Sequence, residues 1–234
     1  MVKMSTEQKA FLEEKFGNRL SWHKKERKLY GHDIAEMPSL FKPLIGNTIP
    51  AGVVQPESES ELRELVQWAA KENVPLTPRG KATSGYGGAI PAQKGLVVDF
   101  YRMQRILSVD PAAQTATVEA GVVWERLDQK LAKHGLALRL YPTSYPSSTV
   151  GGWLAQGGAG IGSYQAGWFR DNVLSARVVL PTAEVREFTG YDLNFISDAE
   201  GITGFITQVT LQVQPPARYA TCAVRQRCPS NLPG

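Results

Sequence analysis

Cysteine is nearly missing from this chain, with only Cys222 and Cys228 among 234 residues. Both lie near the C-terminus at a spacing unlike that of a zinc pair, so neither a disulfide framework nor a metal site is expected. No apolar run is long enough to span a bilayer, and the opening MVKMSTE lacks the apolar segment of a secretion signal. A cytoplasmic protein is the expectation. The net charge is only +4, and no long basic block is interleaved with aromatics, which argues against nucleic acid while leaving room for an anionic ligand. The common phosphate-binding fingerprints are missing too. A Walker A loop needs Lys after its second glycine, whereas Gly85 is followed by Tyr86. The pattern G-x-G-x-x-G occurs neither there nor in GGAGIG, residues 157–162.

With 42% hydrophobic and 21% charged residues the chain has the composition of an ordinary globular protein, long enough for one large domain or two small ones. One stretch is not explained by a packed core: PRGKATSGYGGA, residues 78–89. It carries Gly80, Gly85, Gly87 and Gly88 with the hydroxyls of Thr83 and Ser84, and has almost nothing apolar to bury. Glycines let successive main-chain N–H groups converge on one anion without a Cβ in the way. A diphosphate suits such a loop; a surface turn, where Gly and Ser also gather, stays open.

Taken in order, residues 6–30 favour helix, with Phe11, Leu12 and Phe16 on one side and a break at Gly17 and Asn18. Lys24, Lys25, Arg27 and Lys28 read as a solvated face, with an acidic partner or a membrane surface as the alternative. Pro38, Pro43 and Pro50 make residues 30–50 an extended arm. A strand over 51–55 precedes Ser58 and Glu61, which fit a capping box, and a helix with Leu62, Leu65, Val66 and Ala69 on one face that Asn73 can close. The next strand, 74–77, leads into the glycine-rich loop, so strand, helix and strand form a βαβ unit with a ligand crevice at its carboxyl end.

Residues 96–100 read as a buried strand, after which the pattern turns antiparallel. Hairpins are expected over 106–120 and 176–188, and a half-buried strand over 205–213. Between them lies a helix with Val123, Trp124, Leu127 and Leu131 on one face, ended by His134 and Gly135, where His134 reads as a cap group. The second unusual region, residues 141–162, is rigid and hydroxyl-rich at Pro142, Thr143 and Ser144, then opens a short helix on Gly151 and Gly152. Those glycines could present free N–H groups to a ligand or allow close helix–sheet packing. Both readings stay open.

The succession PRGKATSGYGGAIP, LVVDF, VEAGVVWERL, PTSYPSSTVGGWLAQGGAGIGS, GYDL and DAEGITGFIT resembles the FAD-binding (PCMH-type) domain of the vanillyl-alcohol oxidase / p-cresol methylhydroxylase family. Within it the chain is most similar to the glycolate oxidase and D-lactate dehydrogenase branch. The resemblance implies an α+β fold: a small βαβ subdomain over 51–105, a larger, mainly antiparallel sheet flanked by helices over 106–215, and FAD between them. Residues 1–50 would be a helical region and arm, and 216–234 a linker toward an absent cap domain. It also implies that Arg79, Gly80, Lys81, Ala82, Thr83 and Ser84, with Gly87, hold the FAD pyrophosphate. Pro142, Thr143 and Ser144 would flank the isoalloxazine ring, and Gly151 and Gly152 would let the dinucleotide pass. Gly160 and Ser163 would continue that wall, while Glu200, Gly201 and Ile206 would approach the adenosine half.

Many members attach the flavin through a histidine in the glycine loop, and Lys81, Ala82 and Thr83 offer none, so noncovalent FAD is expected. The implied reaction is oxidation of a small 2-hydroxy acid such as glycolate or D-lactate. A cap domain or partner subunit, with an iron–sulfur protein as one candidate, would complete the substrate site, and peripheral membrane association would come through such a partner. The rival expectations are an FAD-carrying electron-transfer subunit and a reductase on the same fold. No catalytic residue is assigned: Tyr86, Tyr145, Tyr164 and Arg170 read as packing or hydrogen-bonding groups.

Overall fold

The computed structural model describes residues 4–34 and 48–216. Pro38, Pro43, both cysteines and the expected tail beyond residue 216 lie outside the described residues. Two sheets organise the rest, and the fold is α+β. The first contains β1 (Leu20–Ser21), β2 (Gly52–Val54), β3 (Leu76–Arg79) and β4 (Leu96–Asp99) in the order β1-β2-β4-β3. β2, β4 and β3 run parallel, and β1 adds antiparallel to β2. Leu96, Val97 and Val98 are fully buried, as expected of a central parallel strand covered on both faces.

Sequence and structure part company at the N-terminus. The helical stretch expected over 6–30, with its break at Gly17 and Asn18, is two helices, α1 (Thr6–Phe16) and α2 (Lys24–Leu29); the departure lies between them, where Leu20 and Ser21 are drawn into extended pairing with Val54 and Val53. The break at Gly17 is real: its φ of 50° is a conformation that favours glycine. β3 starts two residues later than expected and takes in Pro78, which its place at the sheet edge tolerates.

The crossover helix α3 (Glu59–Glu72) begins where Ser58 Oγ accepts the Glu61 N–H at 3.2 Å and ends at Asn73 in the left-handed region. Its Leu62, Leu65, Val66 and Ala69 are buried. The capping box is only half formed, since the Glu61 carboxylate turns to Arg19, at 2.5 and 2.9 Å, and to the Glu57 N–H. That pairing straps the N-terminal segment to α3.

The second sheet follows the order β5-β6-β10-β8-β9 and is antiparallel throughout. Its strands are β5 (Ile106–Asp110), β6 (Thr115–Glu119), β8 (Val173–Val179), β9 (Val185–Thr189) and β10 (Phe205–Gln214), with β7 (Ala137–Leu138) pairing to the far end of β10. Both hairpins and the alternating last strand fall where the sequence puts them. Helices α4 (Trp124–Ala132), α5 (Val150–Gln156) and α6 (Ser163–Ala166) accompany this sheet. Trp124, Trp153 and Phe169 pack as a buried aromatic triad, with Trp153 and Phe169 stacked at 4.6 Å and Trp124 edge-on to both.

The two sheets are joined at Glu59, the first residue of α3. Its carboxylate accepts from Arg177 Nη2 at 2.6 Å, Arg177 Nε at 3.1 Å and the hydroxyl of fully buried Thr207 at 2.6 Å. Burial pushes the Glu59 carboxyl up, but the hydrogen bonds from Arg177 and Thr207 outweigh it and hold the group below its ordinary 4.5. A depressed carboxyl stabilises the fold above the unfolded pKa and loses that contribution as pH falls through the folded value. Glu59→Gln should therefore cost about 1–2 kcal/mol at neutral pH, given the partial exposure of the pair. Urea titrations of both proteins should show the gap closing below about pH 4; a gap independent of pH would contradict this account.

Candidate cofactor-binding site

The glycine-rich loop leaves the carboxyl end of β3 and forms one wall of a cleft of about 670 Å³. That size is in the range of small-molecule and cofactor sites. The start of α5 lines it as well, together with Trp153, Trp168, Glu200, Gly201 and Ile206. Two small-residue bends seventy residues apart in sequence therefore face one space. They touch: a Cβ on Gly80 would overlap Thr149 Oγ1.

Of the residues singled out from sequence, Arg79, Gly80, Lys81, Ala82, Thr83, Ser84, Thr143, Ser144, Gly151, Gly152, Glu200, Gly201 and Ile206 line the cleft. Gly87, Pro142, Gly160 and Ser163 lie off its wall. Ser163 Oγ accepts the Gly160 N–H at 2.9 Å, a local turn. Gly87 has φ 86° and donates its N–H to Asp33 Oδ2 at 2.7 Å.

The loop's main-chain donors are its distinctive feature. The N–H groups of residues 80–85 have no acceptor among the described residues, although Gly80, Ala82, Thr83 and Ser84 are half-buried. Half-buried amides seldom go unpaired, and a run of free donors is the arrangement that suits an anion. Ala82 takes φ 50°, which helps turn the loop at the cost of some backbone strain.

Arg79 lines the cleft, yet its guanidinium donates to the carbonyls of His32 at 2.9 Å, Tyr30 at 3.3 Å and Leu29 at 3.4 Å, with the Tyr30 ring 5.0 Å away. Burial pulls its pKa below the ordinary arginine value. The other lining cation, Lys81, has Nζ 4.8 Å from the Tyr101 ring.

At α5 the competition between ligand and packing is decided for the donors. Val150 N–H bonds Val122 O, Gly151 N–H bonds Ala120 O, and Gly152 N–H bonds Thr149 Oγ1. A Cβ on Gly151 would lie 2.5 Å from the Ala120 Cβ, so close packing selects glycine there. What this helix start can offer a ligand is clearance rather than hydrogen bonds.

Glu200 holds φ 48° and faces Gly88, where a Cβ would overlap its carboxylate. Burial first, then the nearby charges of Asp33 and Asp198, raise its carboxyl above the ordinary glutamate value. No described residue donates a hydrogen bond to that carboxylate. Sequence reasoning missed Thr149, Trp153 and Trp168 as lining residues. Thr149 carried a readable signal, a hydroxyl immediately before a short helix; the tryptophans look like ordinary core.

A family model described as an FAD binding domain matches residues 50–189. The chain belongs to this family of FAD-binding domains. Among relatives of this FAD-binding domain, the mitochondrial cytochrome-type D-lactate dehydrogenase of Arabidopsis thaliana is 33% identical over 75% of the chain and 32% of that protein. The glycolate oxidase subunit GlcD of Bacillus subtilis is 29% identical over 72% of the chain and 38% of its own length. A solved alkyldihydroxyacetonephosphate synthase superposes with a TM-score of 0.82 at 30% identity, covering 91% of this chain and 44% of that one. The chain thus spans less than half the length of each.

An acidic group whose pKa is raised on folding contributes its stability at low pH and loses it as pH rises through the folded value. Glu200→Gln should consequently raise the melting temperature of the unliganded domain at pH 7 by about 1 °C, with the difference narrowing toward pH 4. A thermal melt at the two pH values checks this, and a variant less stable at pH 7 would refute the reading of a strained, desolvated carboxylate.

Proposed function

We propose that this FAD-binding domain is the flavin-carrying part of an oxidoreductase that oxidises a small 2-hydroxy acid, glycolate or D-lactate being the examples, and that its FAD is noncovalent. The observation that carries the reading is the run of unpaired amides at residues 80–85, set against a helix start stripped of side chains. Bound FAD supplies a hydride acceptor for the hydroxyl-bearing carbon, chemistry that no side chain provides.

The chain's own residues bind and orient. The amides of 80–85 donate to the diphosphate, and Lys81 adds a positive charge beside it. Gly151 and Gly152 keep the passage open, while Thr143 and Ser144 offer hydroxyls on the flavin side. Glu200 would accept from a ribose hydroxyl, a donor that no described residue supplies to its carboxylate. Trp153 and Trp168 narrow the cleft and exclude water from it. Gly87, Pro142, Gly160 and Ser163 act at one remove, by shaping the segments that carry these groups. Among the described residues that line the cleft there is no histidine or cysteine, which supports noncovalent attachment.

The names of the D-lactate dehydrogenase and glycolate oxidase relatives support the 2-hydroxy acid; the synthase of the same fold is a reminder that fold alone leaves the reaction open. The acid–base groups and most of the substrate contacts come, in this proposal, from a cap domain or a partner subunit. A second reading, an FAD-carrying electron-transfer subunit without a substrate site, is favoured by one fact: the glycolate oxidase relative is itself described as a subunit.

Purified protein should bind added FAD, turn yellow, and release all the colour to the supernatant on acid precipitation. Colour left in the pellet would contradict noncovalent binding. Gly80→Asp should abolish binding, by collision with Thr149 and by charge repulsion of the phosphates. Bleaching of the flavin by D-lactate or glycolate, with passage of electrons to a dye, would support substrate oxidation by the chain itself; bleaching only in the presence of a partner would favour the second reading.

A further inference from the structure

Both ends of the glycine-rich loop are held by one short segment that lies outside the matched family region, which begins at residue 50. At the near end, Arg79 donates to the carbonyls of Leu29, Tyr30 and His32. At the far end, the Gly87 N–H reaches Asp33 Oδ2 at 2.7 Å across a sequence separation of 54. Asp33 is 6% exposed, so this charge-assisted bond is shielded from water.

The segment is itself anchored in the first sheet. Tyr30 Oη donates at 2.7 Å to Asp99 Oδ2, which also accepts from Gln55 Nε2 at 2.9 Å. Asp99 closes the central strand β4 and is 6% exposed. The chain of contacts from sheet to segment to loop is therefore continuous, with the carboxylates of Asp33 and Asp99 buried at its two ends.

We propose that residues 29–33 are a clasp that pre-shapes the cofactor loop, with Asp33 as its decisive positioning residue. Asp33 takes the Gly87 amide out of the cradle and holds Gly87 at φ 86°, leaving the amides of 80–85 for the ligand. A loop fixed before binding loses less conformational entropy when FAD arrives. The clasp rests on the proposed FAD site, but the geometry it sets exists without ligand.

The test uses the full chain and two variants. Asp33→Ala removes the acceptor, and Asp33→Asn keeps an oxygen at the same reach without the charge. Titration with FAD, followed by quenching of flavin fluorescence, should show Asp33→Ala binding roughly tenfold more weakly or worse, and Asp33→Asn within about threefold of the parent. Amide hydrogen exchange without FAD should show Gly87 exchanging roughly tenfold faster in Asp33→Ala, with the Ala112 and Ala113 amides of the distant Asp110 turn unchanged as an internal measure of folding. The proposal is overturned if Gly87 exchange is no faster in Asp33→Ala, if FAD affinity is unaffected while exchange accelerates, or if Asp33→Asn binds as poorly as Asp33→Ala. Failure of the parent protein to bind FAD at all would instead sink the functional proposal, while the exchange measurement would still decide whether Asp33 shapes the loop.

Discussion

The cleft lies where two sheets built on different principles meet over one shared apolar core, and a single carboxylate ties them across that seam. Glu59 sits at the first turn of α3, which belongs to the parallel sheet, and takes its hydrogen bonds from β8 and β10 of the antiparallel one. An acidic group there also suits the positive end of the helix dipole. Thr207 is buried beside it, so the seam combines a charged pair with a shielded hydroxyl. The glycine loop belongs to one sheet and the wall at α5 to the other, so their relative position is inherited from this seam.

The division of labour within the cleft follows from which main-chain groups are already paired. At α5 every early amide finds an acceptor in its own chain, and small residues serve to keep backbone close to backbone. At residues 80–85 the opposite holds. Similar glycine-rich sequences thus leave their main-chain donors in two different states, and only hydrogen-bond partnership tells them apart.

Most of the architecture could be read from the chain. The cap at Ser58, the helical face of Leu62, Leu65, Val66 and Ala69, both hairpins and the alternation over β10 are local patterns whose physics is complete within a few residues. The misreadings share a cause. Leu20 and Ser21 become a strand only because Val53 and Val54 present an open edge, and Glu61 abandons its box only because Arg19 arrives from elsewhere. The same limit applies to the site. The loop stood out from its glycines as the candidate anion site, but Arg79 turning to the carbonyls of Leu29, Tyr30 and His32, and Asp33 reaching Gly87, depend on contacts about fifty residues apart that no short pattern encodes.

The position of β10 at the heart of its sheet carries a consequence for biosynthesis. This strand lies between β6 and β8, pairs β7 as well, and supplies Thr207 to the seam, yet it is the last of the described strands to leave the ribosome. Until it emerges, both hairpins present unpaired edges and the antiparallel sheet has no centre. The parallel sheet can assemble early, whereas closure of the second waits for distant partners, a topology that slows folding and lengthens exposure to aggregation.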